Sequence, residues 1–168
     1  MPIDNPMFEF YRAASTAANV EAVHHALEDM TRSLIGVRLF TLMTFDREAG
    51  LARRCYSNMP DAYPCSGTKP VDSDRWSEQV LNGKQSFVAN DIEGIADVFS
   101  DHELIASLGC ESVLNVPVVI AGTVLGTINC LHESGFYTSE KVAASEALKL
   151  PGSLCFFMEK LNDSNGGH

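Results

Sequence analysis

The residues in this chain that could carry chemistry are its cysteines and histidines, and their spacing decides what they can do. The cysteines are Cys55, Cys65, Cys110, Cys130 and Cys155, and no two of them form a Cys-x-x-Cys pair. An odd number without that spacing, in a chain with no export signal at Met1 to Phe10, argues against a disulfide framework. Cys130 and Cys155 lie in apolar stretches and read as small core residues, whereas Cys65 sits in a Pro/Gly-rich loop and reads as the exposed thiol. His24 and His25 are neighbours in a helical pattern and point about 100° apart, so they do not easily face one ion. His102 and His132 lack Cys or carboxylate partners at ligand spacing. Neither Gly-x-Ser-x-Gly nor a Walker sequence occurs. No catalytic or metal-binding residue is therefore assigned, and no cofactor is identified.

Amides and aromatics are the next candidates. Asn115 and Asn129 fall inside β-rich apolar runs, where Asn is depleted. Each either faces a cavity or faces solvent. Trp76 is either a stacking surface for a ligand or a core anchor. Asn90 and Asp91 follow a short strand and either bind a ligand or cap the segment after it. His102, near the start of a short helix, is either a titrating site group or a solvated first-turn residue. Ser112 and Thr127 are weaker candidates of the same kind as the two asparagines.

The elements that position these residues follow from apolar periodicity. Phe8 to Leu34 repeats its apolar residues every three or four positions, with Asn19 able to cap a second helix and Gly36 ending it. Val37 to Phe45 and Leu51 to Met59 read as a hairpin around a turn at Asp46 to Gly50. Pro60 to Pro70 is a loop by composition. Asp72 or Ser73 caps a short helix through Leu81, and Ser86 to Ala89 is a short strand. Ser100 to Glu103 matches a capping box. Ser112 to Ile120 and Val124 to Leu131 form a second hairpin through Ala121-Gly122, and Pro117 predicts an edge position or a bulge. Thr138 or Ser139 caps a last helix that Pro151-Gly152 should kink or break. Residues 162–168 read as a frayed tail. Two hairpins with helical excursions between them predict an α+β sandwich around an antiparallel sheet, in a single domain over 1–168 with its core at about 20–161.

Composition sets limits. The formal net charge is −10, and no basic run offsets it, so nucleic-acid and anionic-membrane partners are not expected. No apolar run approaches the ~20 residues of a membrane span. The expected location is the cytoplasm.

Gly109 to His132 (GCESVLNVPVVIAGTVLGTINCLH) resembles the corresponding stretch of GAF domains. Ser112, Val116-Pro117-Val118, Gly122 and Leu125-Gly126-Thr127 match that family's spacing of Ser, apolar-Pro-apolar, a Gly turn and apolar-Gly-apolar. The order of upstream elements agrees as well. The resemblance implies a GAF-like, PAS-related sheet, with terminal helices on one face and, on the other, a ligand cavity roofed by Asn90 to Gly109. It does not name the ligand, which differs among family members or is absent. The residues expected to bind a small molecule in such a cavity are Trp76, Asn90, Asp91, His102, Ser112, Asn115, Thr127 and Asn129. The resemblance also implies a homodimer through the terminal helices, signalling through a partner protein.

Sharper family activities lack residues. Cyclic-nucleotide members carry Asn-Lys, Phe and Asp-Glu; Asn129 and Phe136 match, the Lys is missing, and Ser139-Glu140 replaces Asp-Glu. Bilin members need Cys before the roof His, and Asp101 precedes His102. The family's free methionine sulfoxide reductase is the enzyme alternative. Cys65 lies near one of its thiol positions, Trp76 occupies another, and Cys110 is displaced from the third. A pure dimerisation or docking module without a ligand is the remaining alternative.

Overall fold

Six antiparallel strands in the order β3-β2-β1-β6-β5-β4 carry the structure, a computed structural model that describes residues 5–166. The strands are β1 (Leu39–Asp46), β2 (Leu51–Ser57), β3 (Lys69–Pro70), β4 (Phe87–Ala89), β5 (Ser112–Ile120) and β6 (Thr123–His132). Helices α1 (Pro6–Ser15) and α2 (Val20–Leu34) precede them, and α7 (Lys149–Asn165) follows. Asn19 caps α2 as expected, its side chain accepting from Ala22 N at 2.9 Å. Beyond Leu34, Gly36 takes φ 84°, where an L side chain is strained, and so turns the chain out of the helix.

Each face of the sheet has its own core. On one face Phe40, Leu42, Leu114, Val116, Ile128 and Cys130 pack with Val23, Leu27 and Met30 of α2 and Cys155 and Phe156 of α7. On the other, Leu39, Val113 and Leu131 pack under Tyr63, Val80, Leu81, Ile95 and Ile105. Two-residue alternation assigns the strands to these faces. β1 sends Phe40 and Leu42 to the helices and Leu39, Thr41, Met43 and Phe45 to the other side.

Gly126 shows why the apolar-Gly-apolar motif is there. A Cβ on Gly126 would collide with the Met43 carbonyl oxygen and the Phe156 ring, so its absence lets α7 lie directly on the strand. Gly152 does the same from the helix side, where a Cβ would come within 2.8 Å of Ile128 Cδ1.

Several expectations shift. Pro151 does not kink the last helix. The break comes earlier, at a 3₁₀ turn (Ser145–Leu148) between α6 (Ser139–Ala144) and α7. Pro151 then lies in the first turn of α7, where its missing N–H costs nothing. The helix also continues into the expected tail as far as Asn165, held by an ion pair from Arg53 to Asp163 at 2.7 Å. The last two residues of that tail, 167–168, lie outside the described residues. Pro117 lies beyond the short span where β4 pairs with β5, next to a register shift at Val118/Val119, so it carries both predicted features.

The segment over the second core is built from short pieces. Helix α3 (Arg75–Ser77), capped by Asp74 rather than Asp72 or Ser73, runs into a π-helical turn (Glu78–Asn82). Helices α4 (Ile92–Ala96) and α5 (His102–Ser107) follow β4.

Candidate functional site

The sheet face opposite the terminal helices holds a cavity of about 200 Å³. Its floor is β1, β5 and β6, contributing Leu39, Thr41, Phe45, Val113, Asn115, Asn129 and Leu131. Its walls include Trp76 from α3, Tyr63 from the loop after β2, and Phe99 and Ile105 around α5.

A polar chain crosses the apolar floor. Trp76 Nε1 donates to Asn115 Oδ1 at 2.9 Å. Asn115 Nδ2 donates to Asn129 Oδ1 at 2.8 Å, and Asn129 Nδ2 donates to Thr41 Oγ1 at 3.2 Å. Strand register sets this up, because Asn115 pairs with Asn129 and Asn129 pairs with Thr41. The indole is a donor only, so it fixes the orientation of both amides down the line. Each amide nitrogen keeps one further N–H, and the Thr41 hydroxyl keeps its proton for another acceptor. The three floor residues are buried, and burying such groups is favourable only when they are hydrogen-bonded.

The aromatic wall is also tied. Tyr63 Oη donates to Asp101 Oδ2 at 2.5 Å. Burial, then that bond to a carboxylate, pushes the Tyr63 phenol up and keeps it protonated. Asp101 stands at the N-terminus of α5 without capping it by its side chain. Ser100 instead lines the cavity, so the predicted capping box does not form.

The remaining expected site residues lie elsewhere. Asn90 Nδ2 donates to Tyr137 O at 2.9 Å and its Oδ1 accepts from Tyr137 N at 3.0 Å, pinning the loop after β6. Asp91 caps α4, accepting from Gly94 N at 2.7 Å. His102 bonds through Nδ1 to Phe99 O at 3.1 Å. Ser112 donates to His132 O at 3.2 Å at the end of the β5–β6 ladder. Thr127 shares the floor's side of β6 by alternation but is not in the lining, and its hydroxyl is buried without a partner among the described residues.

Sequence reasoning missed Thr41, Tyr63, Asp101 and Arg54 as lining groups. Arg54 was concealed by a bulge. Leu42 pairs with Tyr56 and Met43 with Arg54, which leaves Cys55 extra. Plain alternation through LARRCYSNM puts Arg54 and Tyr56 on one side, whereas Tyr56 packs with the helical core and Arg54 lines the cavity.

The thiols fit their sequence reading. Cys65 is exposed and Cys110, Cys130 and Cys155 are buried. Neither Cys65 nor Cys110 lines the cavity, and burial raises both thiols above the ordinary range. Outside the cavity, His24, Cys55 and Glu159 bring their ligand-type atoms within 4.8 Å of one another. Glu159 there already accepts from His24 Nε2 at 2.9 Å and Arg53 Nη2 at 3.1 Å, so the group is an ion-paired tie between α2, β2 and α7.

Known proteins share this fold. The GAF domain family model matches residues 19–148, and the chain belongs to the GAF domain family. Among solved structures it is similar to the GAF domain of a phosphoenolpyruvate-protein phosphotransferase from Coxiella burnetii, at 13% identity and TM-score 0.68, covering 97% of this chain and 95% of that one. It is also similar to the GAF domain of a two-component sensor histidine kinase from Bacillus halodurans, at 16% identity and TM-score 0.65, covering 89% and 99%. A third similar structure is a GAF domain/HD domain protein from Geobacter sulfurreducens, at 17% identity and TM-score 0.65, covering 84% and 95%. The comparison with curated proteins returns no match. Among the described residues, no helix is long and apolar enough to cross a membrane.

Proposed function

We propose that this chain is a non-catalytic sensor domain whose cavity holds a small molecule. The observation that carries this reading is the Trp76–Asn115–Asn129–Thr41 chain. It places spare hydrogen-bond donors in a concave, largely apolar recess, the usual composition of a small-ligand site. A cavity of about 200 Å³ limits the occupant to metabolite size. Trp76 is the sole tryptophan of the chain, so its fluorescence reports on the site directly. Titration with a metabolite library should give saturable quenching or a spectral shift together with a raised Tm. No response in either signal across the library would defeat the proposal.

The same reading includes a homodimer that passes its signal to a partner protein through the terminal helices. Leu150, Leu154, Phe157 and Leu161 follow the spacing of a coiled-coil seam along α7, and all four are exposed, Leu150 at 70% and Leu161 at 60%. A seam of that spacing is self-complementary, so a second copy is the occupant it suits. The similar domain from the Bacillus halodurans sensor histidine kinase illustrates a setting in which a GAF domain serves signalling. The thiol-dependent reductase reading lacks comparable support, because raised thiols outside the cavity are poorly placed to attack a bound substrate.

A further inference from the structure

The two adjacent arginines of β2 are treated differently by the fold. Arg53 faces the helices and is paired, with Glu159 at 3.1 Å and Asp163 at 2.7 Å. Arg54, on the opposite face by strand alternation and paired with Met43, lines the cavity. Its guanidinium lies over the Tyr63 ring, 4.8 Å from the centroid, and Nη1 donates to Pro64 O at 3.0 Å. That is its one hydrogen bond to the described residues. Nε is shut off from solvent and has no partner among them.

An arginine presents Nε–H and the neighbouring Nη2–H in the same direction, as a fork that fits the two oxygens of a carboxylate. With Nη1 spent on Pro64 and Nε closed to solvent, Nη2 is the edge of the guanidinium left for an acceptor. An anionic oxygen on Nη2 would make a charge-assisted hydrogen bond. Stacking on Tyr63 holds the guanidinium plane in place before anything binds.

The charges around it select among anions. Asp72, Asp74 and Asp101 also line the cavity, with Lys69 and Arg54 as the cations. Asp101 is engaged by Tyr63 and Asp74 by Ser77 N at 2.8 Å. A multiply charged phosphate would meet three carboxylates there. A group carrying one negative charge meets far less repulsion. Most of the remaining lining, including Leu39, Phe45 and Ile105, is apolar, and Asn115 and Asn129 keep spare amide protons on the floor.

We infer that the cavity takes a small organic monocarboxylate, its acid group on the Arg54 guanidinium and its apolar body over the sheet floor. This rests on the reading of the cavity as a ligand site.

The test pairs acids with their neutral amides: phenylacetate with phenylacetamide, and 4-methylpentanoate with 4-methylpentanamide. Inorganic phosphate is a third probe. Binding to the full chain at constant ionic strength is followed by Trp76 fluorescence and by the shift of its indole N–H resonance. The expected result is that at least one acid binds tenfold or more tightly than its amide, with phosphate silent. Arg54→Gln should bring that acid down to the level of its amide. Arg54→Lys, which keeps the charge and loses the planar guanidinium held over Tyr63, should recover only part of the preference. The comparison of acid with amide in the unaltered protein needs no variant to fold. Acid and amide binding equally, or phosphate binding better than either acid, would overturn the carboxylate inference while leaving a ligand site. No binding by any probe would overturn it too, and the library titration then decides separately whether the cavity is a ligand site.

Discussion

Asn115 and Asn129 face each other across β5 and β6, with Asn115 Nδ2 donating to Asn129 Oδ1 at 2.8 Å. Two amides side by side inside a sheet do little for packing, and alone they would leave polar groups stranded. Trp76 at one end and Thr41 at the other complete the line. Trp76→Phe keeps a ring in the wall and removes the only donor to Asn115 Oδ1 among the described residues. It should cost about 1–3 kcal/mol of stability, the penalty for a stranded buried acceptor. Urea denaturation followed by circular dichroism measures this. Combining it with Asn129→Leu should give a non-additive total, since both changes act on one network.

Acid sensitivity should centre on Glu159. The hydrogen bond from His24 holds its carboxyl below the ordinary carboxylate range, against the opposing effect of burial, and Arg53 adds to it. A carboxyl lowered in the folded state contributes stability that is fully present above its unfolded value and is lost as pH falls through its folded value. Glu159→Gln should therefore be less stable than the unaltered protein at neutral pH by about 1–3 kcal/mol. The gap should close as pH drops below the carboxylate range. Paired urea titrations at several pH values check both the size and the sign.

Gly126→Ala should be poorly tolerated although alanine is the smallest change available. The added methyl meets a backbone oxygen of Met43 on one side and the Phe156 ring on the other. Overpacking of this kind costs about 1–3 kcal/mol. Phe156→Leu in the same chain should relieve the ring contact and recover only part of the loss, because the Met43 oxygen cannot move aside. Thermal denaturation of the three variants tests this order.

The α7 seam gives a prediction about assembly. Leu154→Glu and Phe157→Glu place charges on an exposed stripe, not in the core, so the fold should survive with Tm changed only by the lost association. Sedimentation should show a dimer for the unaltered chain and a monomer for the variants. A monomer for the unaltered chain at high concentration would remove the dimer from the account.

Part of the cavity lining was legible where a residue contradicted its local pattern. Asn115 and Asn129 stood out because strands avoid Asn, and that anomaly led to the cavity floor. Trp76 was legible as an aromatic that either stacks on a ligand or anchors the core, though its role as the donor orienting two amides depends on strand register. Asn90, Asp91 and His102 carry the same residue types but spend them on local bonds, and type alone does not separate the two uses. Arg54 was hidden for a different reason. One extra residue at Cys55 reverses the face of everything beyond it, and a bulge leaves no mark in hydrophobic periodicity. The predicted capping box is absent because α5 starts one residue later, with Asp101 at its N-cap, and the Asp101 carboxylate accepts from Tyr63, a partner far away in sequence.

The central claim is that the Asn115–Asn129 floor belongs to a ligand site, and metabolite capture tests it most directly. The full chain, and the Asn115→Leu/Asn129→Leu variant shown to be folded, are incubated with a cell extract, re-isolated and analysed for bound small molecules by mass spectrometry. The account predicts at least one metabolite retained by the unaltered chain and lost from the variant. Retention of nothing by the unaltered chain, or equal retention by both, would contradict it.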